Sequence, residues 1–375
     1  ELTRYTFIIL YNLLFRRIME EHVSRKKDHI KICLEEDVEF KDKTTWFEYV
    51  EFIHNPLPEM NIDDVKLETK FLGECFNYPI LIEGMTGGVP EAFEINKNLA
   101  EVSSKLNIPM EVGSQRAGIY DPSLVYTYRV ARDVDPDIFL IGNIGGVQLA
   151  REGVELAEKA VEMIDADALA IHLNPLQELI QPKGTPIFRG VLKAIEKTIE
   201  RLDVPVIVKE VGCGIPMETA KILESIGVKA IDVAGAGGTN WTLIEKIRAR
   251  ESQDIEREVL GEVFQEWGIP TAASLIEVAS SVNIDVVASG GIRSGLDIAK
   301  SLSLGACMAG IARPLLRLAV KNPQHVLNYL KEIIMQIKVA MYLTGSSTIE
   351  ELRNSKKIII FGPLLEWCCQ RNLKL

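Results

Sequence analysis

An imidazole, two carboxamides and a carboxylate follow directly on a short apolar run. Ala168-Leu169-Ala170-Ile171 leads into His172-Leu173-Asn174-Pro175-Leu176-Gln177-Glu178. Buried without partners, such groups cost roughly 1–3 kcal/mol each, so they read as groups aimed into a site. Two glycine-rich stretches point to what that site holds. Ser289-Gly290-Gly291-Ile292-Arg293-Ser294-Gly295 follows one apolar run and Ala309-Gly310 ends another. Glycines let the backbone approach an anion, a helix N-terminus directs N–H groups at it, and Arg293 adds a charge-assisted fork. The plain alternative, tight turns only, is weakened by the pairing of the two loops.

Lys209 ends the very apolar run Val204–Val208. It is either a structural ion pair, with Glu210 beside it as a candidate partner, or a cation facing a ligand. The second reading is adopted because functional groups collect at strand ends. Thr239, after Gly237-Gly238, suits a hydroxyl donor to a ring heteroatom or phosphate, or an ordinary helix cap. Arg25-Lys26-Lys27-Asp28-His29 reads by composition as a solvated helix face, yet a basic arm folded over a site could clamp a polyanion.

Eight short apolar runs supply these strand ends: Pro79–Ile82, Ile108–Val112, Ile138–Ile141, Ala168–Ile171, Val204–Val208, Ala230–Val233, Val286–Ala288 and Ala306–Ala309. Amphipathic helical patterns lie between them, over Pro90–Leu106, Leu149–Ile164, Val191–Leu202, Met217–Ile226, Ala272–Val282 and Leu296–Leu304. Continuously apolar strands alternating with helices predict a parallel sheet, and eight units favour an α/β fold closed as a (β/α)8 TIM barrel. The long gap from Val233 to Val286 is read as an active-site loop or lid. The expected organisation is a single barrel domain over residues 79–345, an N-terminal arm and lead-in over 19–78, and a C-terminal helical tail over 346–375. Residues 1–18 are read as an extension outside the ancestral fold, with Met19 just beyond them.

The 375 residues are 47% hydrophobic and carry a formal net charge of -11. That charge argues against nucleic acid as the main partner, so an anionic ligand needs a local basic cluster. No span reaches the roughly 18 apolar residues of a membrane crossing. The six cysteines, without a CxxC pair, read as reduced thiols of a cytoplasmic protein.

RKKDHI at 25–30, EGMTGG at 83–88, GSQRAG at 113–118, HLNPLQE at 172–178, VKEVGCG at 208–214, GAGGTNW at 235–241 and SGGIRSGLD at 289–297 occur in this order. Together they resemble the type II isopentenyl-diphosphate isomerases, FMN-dependent (β/α)8 enzymes, from about Arg25 to the end of the chain. The resemblance implies that Met85, Thr86, Gly87, Ser114, Asn143, Lys209 and Thr239 hold the isoalloxazine ring and ribityl chain. It implies that Gly291, Ile292, Arg293, Ala309 and Gly310 hold the FMN phosphate. Arg25, Lys26, Ser114, Arg116, His172, Asn174 and Gln177 would line the pocket of a small-molecule diphosphate substrate, and Glu178 would bind Mg2+ on it. Ala234 departs from the pattern, since many members have serine there.

The implied reaction moves the double bond of isopentenyl diphosphate to give dimethylallyl diphosphate. Neither reacting carbon is appreciably acidic or basic, so reduced FMN is expected to supply the acid–base group, with NADPH as its activating reductant. Gln177, His172 and Lys209 are the residues expected to assist, Gln177 in a supporting role because an amide is a poor base. Lys209 would favour the anionic reduced flavin, and the family suggests a homo-oligomer, tetramer or octamer. Two rivals stand beside this reading. One is an FMN-dependent 2-hydroxy-acid oxidoreductase, which needs a histidine near the end of the seventh strand, where residues 283–297 have none. The other is a noncatalytic phosphate-binding barrel.

Overall fold

The computed structural model describes residues 24–373; the extension expected at 1–18 and Met19 lie outside them. Eight parallel strands close into a barrel: β1 (Ile80–Ile82), β2 (Met110–Glu111), β3 (Leu140–Gly145), β4 (Ala168–His172), β5 (Val206–Lys209), β6 (Ala230–Asp232), β7 (Asp285–Ala288) and β8 (Met308–Ile311). All eight strands expected from the sequence form, in sequential order, with β8 returning to pair with β1.

Strand side chains alternate between two faces, and here both faces are buried. Ile80, Ile82, Leu169, Ile171, Val206, Val208 and Val286 pack outward under the helices. Leu81, Ile141, Ala170, Ile207, Ala230, Val287 and Met308 point inward and form one apolar layer. Phe71 and Phe76 join that inner layer from a two-stranded hairpin, Thr69–Phe71 with Glu74–Phe76. The hairpin plugs the end of the barrel where the strands begin.

Two residues further along each strand, the inward position changes character. Glu83, Asn143, His172, Lys209, Asp232, Ser289 and Gly310 follow the seven apolar residues just named, and Glu111 of β2 completes one position per strand. Register sets part of this ring level, since His172 pairs with Lys209 across β4–β5 and Lys209 with Asp232 across β5–β6. The barrel is therefore dry below and polar above, with the change made at the strand ends.

The Val233–Val286 gap is not a lid loop. It folds into helices Trp241–Glu251 and Ile255–Phe264 before helix Thr271–Ala279. Asn240 caps the first and Asp254 the second, their side chains accepting from the Leu243 and Arg257 N–H groups. The helix expected at Leu149–Ile164 is two, Gly146–Glu152 and Glu155–Ile164, broken at Gly153 with φ 92°. In the tail, Ile358–Ile360 pairs antiparallel with Val50–Phe52, stitching the tail to the lead-in.

Candidate active site at the barrel mouth

A cavity with about 1620 Å3 of space, part of it open to solvent, lies above the polar ring at the carboxyl ends of the strands. Its wall includes every residue expected to meet the substrate: Arg25, Lys26, Ser114, Arg116, His172, Asn174 and Gln177, with Glu178 among them. Met85, Thr86, Asn143, Lys209, Thr239, Gly291, Arg293 and Gly310 line it too. Gly87, Ile292 and Ala309 lie outside the wall. Ile292 and Ala309 are buried in the core, and a Cβ at Gly87 would fall 1.9 Å from the Tyr128 ring. Only their backbones could serve a ligand.

The arm expected to be a clamp does fold over the mouth. Residues 24–35 are helical, and the Lys26 ammonium donates to the Ser114 carbonyl at 2.9 Å. Burial, then Arg25 and Arg116, push Lys26 down to about 7. The solvated-face alternative fails for Arg25, Lys26 and His29, all of which line the cavity.

His29 is anchored by Glu245, a residue the sequence reading passed over within a charged stretch. Its buried carboxylate lies 2.8 Å from His29 Nε2, and accepts from Arg248 Nη1 at 2.7 Å and from Gln177 Nε2 at 3.1 Å. Burial opposes that charge, but His29, Arg248 and Gln177 outweigh it and hold Glu245 at about 2. Gln177 Oε1 in turn accepts from Asn174 Nδ2 at 2.9 Å, so both ends of its amide are fixed.

Lys209 combines the two readings, since it lines the cavity and is also ion-paired within the barrel. Its ammonium pairs with Glu83, with Glu111 at 2.7 Å and with Asp232 at 3.0 Å. Burial works against its charge, yet the three carboxylates raise it well above the ordinary lysine value. Glu210 is not its partner; that carboxylate accepts the N–H groups of Val211, Gly212 and Cys213 at 2.6–2.8 Å. Around the ring, Glu111 accepts from Asn143 Nδ2, and Asn143 Oδ1 meets His172 Nδ1 at 2.8 Å. A carboxylate can only accept, so the Asn143 oxygen must face His172, whose Nδ1 then carries the proton. Burial and the charges of Lys209, Lys26 and Arg25 lower His172 to about 3. His172 is thus neutral, with the lone pair on Nε2.

The phosphate end also departs from expectation. Helix Gly295–Ser303 carries its own capping box, with Asp297 accepting the Arg293 and Ser294 N–H groups at 3.1 and 2.9 Å, and Gly295 N–H goes to Gln336. Those donors are taken, which leaves the approach to an anion with Gly290 and Gly291. Both have positive φ, 94° and 80°, and a Cβ at Gly290 would lie 2.1 Å from the Gly235 carbonyl oxygen. Arg313, unremarked in the sequence, joins Arg293 at this end of the cavity wall.

Four buried polar atoms of wall residues lack a hydrogen-bond partner: Glu83 Oε1, Thr86 Oγ1, Arg116 Nε and Asn174 Oδ1. Native interiors satisfy such groups, so these suit a polar ligand such as a flavin mononucleotide. Among the described residues no cluster of three metal-ligating side chains exists. Glu178 alone, with Oε2 accepting from the Thr185 N–H at 2.8 Å, fits a cation that arrives already bound to phosphate oxygens.

Fold and site together define a (β/α)8 barrel with a polar, partly basic cavity at its mouth. The chain is 48% identical over 350 residues to the isopentenyl-diphosphate delta-isomerase of Methanothermobacter thermautotrophicus, covering 93% of this chain and 97% of that one. It is 46% identical to that of Pyrococcus furiosus, covering 93% and 89%. The chain belongs to the type II isopentenyl-diphosphate delta-isomerase family. Residues 175–359 also match the FMN-dependent dehydrogenase family model. Among solved structures, a lactate oxidase from Pediococcus acidilactici has a similar fold (TM-score 0.64, 15% identity, 93% of this chain and 94% of that one). A mandelate oxidase does too (TM-score 0.57, 17% identity, 85% and 90%).

Proposed function

We propose that this protein isomerises isopentenyl diphosphate to dimethylallyl diphosphate at the barrel mouth, with FMN on the polar floor and the diphosphate under the basic arm. The observation that carries the reading is that one cavity gathers Arg25, Lys26, Arg116, Asn174, Gln177 and Glu178 above the floor. Met85, Thr86, Ser114, Asn143 and Thr239 would hold the flavin ring and chain, and Gly291, Arg293 and Gly310 its phosphate. Reduced FMN, when bound, supplies the acid–base group of a 1,3-proton shift without net redox change. NADPH is the reductant assigned to it.

The chain's own groups bind and orient. Arg25, Lys26 and Arg116 take the diphosphate, and Glu178 takes Mg2+ on it. Gln177 is a positioning residue, its amide locked between Glu245 and Asn174. Near neutral pH Lys209 keeps its proton and His172 stays without a second one. In the ligand-free protein neither is poised to exchange a proton near neutral pH, which supports assigning that task to the cofactor.

The oxidoreductase alternative lacks its strand-seven histidine, and the oxidases of similar fold are too distant in sequence to favour it. Self-association belongs to the same reading, as a tetramer or octamer, supported by exposed Ile255, Val259, Val263 and Trp267. So does a cytoplasmic location; among the described residues no helix is long and apolar enough to cross a membrane. Anaerobic incubation with FMN, NADPH, Mg2+ and isopentenyl diphosphate should yield dimethylallyl diphosphate. An oxidised product, or equal turnover without flavin, refutes the reading.

A further inference from the structure

Three carboxylates crowd one ammonium on the barrel floor, and their remaining oxygens are not equally served. Asp232 Oδ1 accepts from Ser289 Oγ at 2.6 Å and from the Ala234 N–H at 3.2 Å. Glu111 Oε1 accepts from Asn143, and its Oε2 takes the Gly84 N–H at 3.2 Å besides Lys209. Glu83 touches Lys209 through Oε2, but its Oε1 meets no donor although the residue is only 4% exposed and lines the cavity.

One positive charge cannot balance three buried negative ones. Like-charged carboxylates sharing a site keep a proton between them. That proton goes where the charged form has the fewest hydrogen bonds, which here is Glu83. The surroundings favour the neutral form: burial first, then Asp232 and Glu111, raise Glu83 well above the ordinary carboxyl value against the pull of Lys209. The neighbouring strand has been cleared for it, since a Cβ at Gly310 would lie 1.8 Å from Glu83 Oε1.

We infer that Glu83 is a neutral carboxylic acid in the folded protein and that its Oε1–H is a hydrogen-bond donor that the barrel floor offers to the ligand above it. The inference deepens the proposed function, resting on it for the identity of that ligand as FMN. A donor without charge would meet an acceptor atom of the cofactor while the floor around it stays net negative.

Difference infrared spectra test the protonation directly, with and without FMN. The wild-type protein at neutral pH should show the carbonyl stretch of a protonated carboxylic acid that is missing from Glu83→Gln. Glu111→Gln, which removes one competing charge, should shift the titration of that band to lower pH or abolish the band. Absence of the band from wild type, or its persistence in Glu83→Gln, overturns the inference. FMN affinity tests the donor: Glu83→Gln, which is neutral and retains N–H donors, should bind within a few-fold of wild type, and Glu83→Leu about tenfold more weakly. Equal affinity in Glu83→Leu refutes the donor role. If the wild type binds no FMN, the donor role falls with the proposed function, and the infrared band still decides the protonation.

Discussion

Arg293 Nη2 lies 2.9 Å from both carboxylate oxygens of Glu39, and Arg313 Nη1 lies 2.7 Å from one of them. A carboxylate from the N-terminal lead-in thus shares the two arginines at the end of the cavity proposed for the FMN phosphate. Glu39→Gln should tighten FMN binding about fivefold, the scale of the roughly 1 kcal/mol carried by a half-exposed ion pair. Arg293→Ala should weaken it. Quenching of FMN fluorescence measures both, and a tighter Arg293→Ala variant would remove the phosphate from this end of the cavity.

The low value at Lys26 makes anion binding pH-dependent. A bound diphosphate raises the pKa of Lys26 above about 7, so the complex holds more protons than the free protein. Affinity for pyrophosphate should therefore fall as pH rises above about 7. Calorimetry in two buffers of different ionisation enthalpy should register proton uptake. Lys26→Arg, permanently charged, should lose that uptake beyond what pyrophosphate itself contributes; identical uptake in both proteins would place the titrating group elsewhere.

Glu178→Gln separates metal from flavin. Turnover that depends on Mg2+ should drop while the yellow colour of bound FMN persists. Unchanged dependence on Mg2+ concentration would exclude Glu178 as the ligand.

Glu245 ties the arm to the body through His29 and Arg248. Glu245→Ala leaves the half-buried Arg248 with only the longer 3.3 Å contact to Asp28 and should cost about 3 kcal/mol in denaturant unfolding. Because its folded value is depressed to about 2, the stability it adds is fully present above about pH 4.5 and is lost as pH falls toward 2. A variant as stable as wild type, with the same acid limb, would contradict this.

The eight strands were legible because each is a short run of apolar residues, and a strand buried on both faces needs nothing else. The substrate wall was legible for a different reason: His172 to Glu178 is a polar burst where packing would want none. Glu83, Glu111 and Asp232 were harder to see, each a single acid at the end of an apolar strand with no local signature. A count of two from Leu81 and Ala230 would have placed Glu83 and Asp232 inside the barrel beside Lys209. Adjacency in sequence suggested Glu210 instead, yet neighbours along a strand face opposite ways. The helices at Trp241–Glu251 and Ile255–Phe264 hid behind dense charge, which masks helical periodicity and also hid Glu245.

The aromatic hairpin under the barrel has a kinetic corollary. With Phe71 and Phe76 filling the lower opening, the described residues leave the upper mouth as the doorway, and the helix over residues 24–35 overhangs it. On the proposed reading FMN would rest deepest, load before the diphosphate and outstay it. Each product molecule would then depart past the same overhanging helix that admitted its precursor.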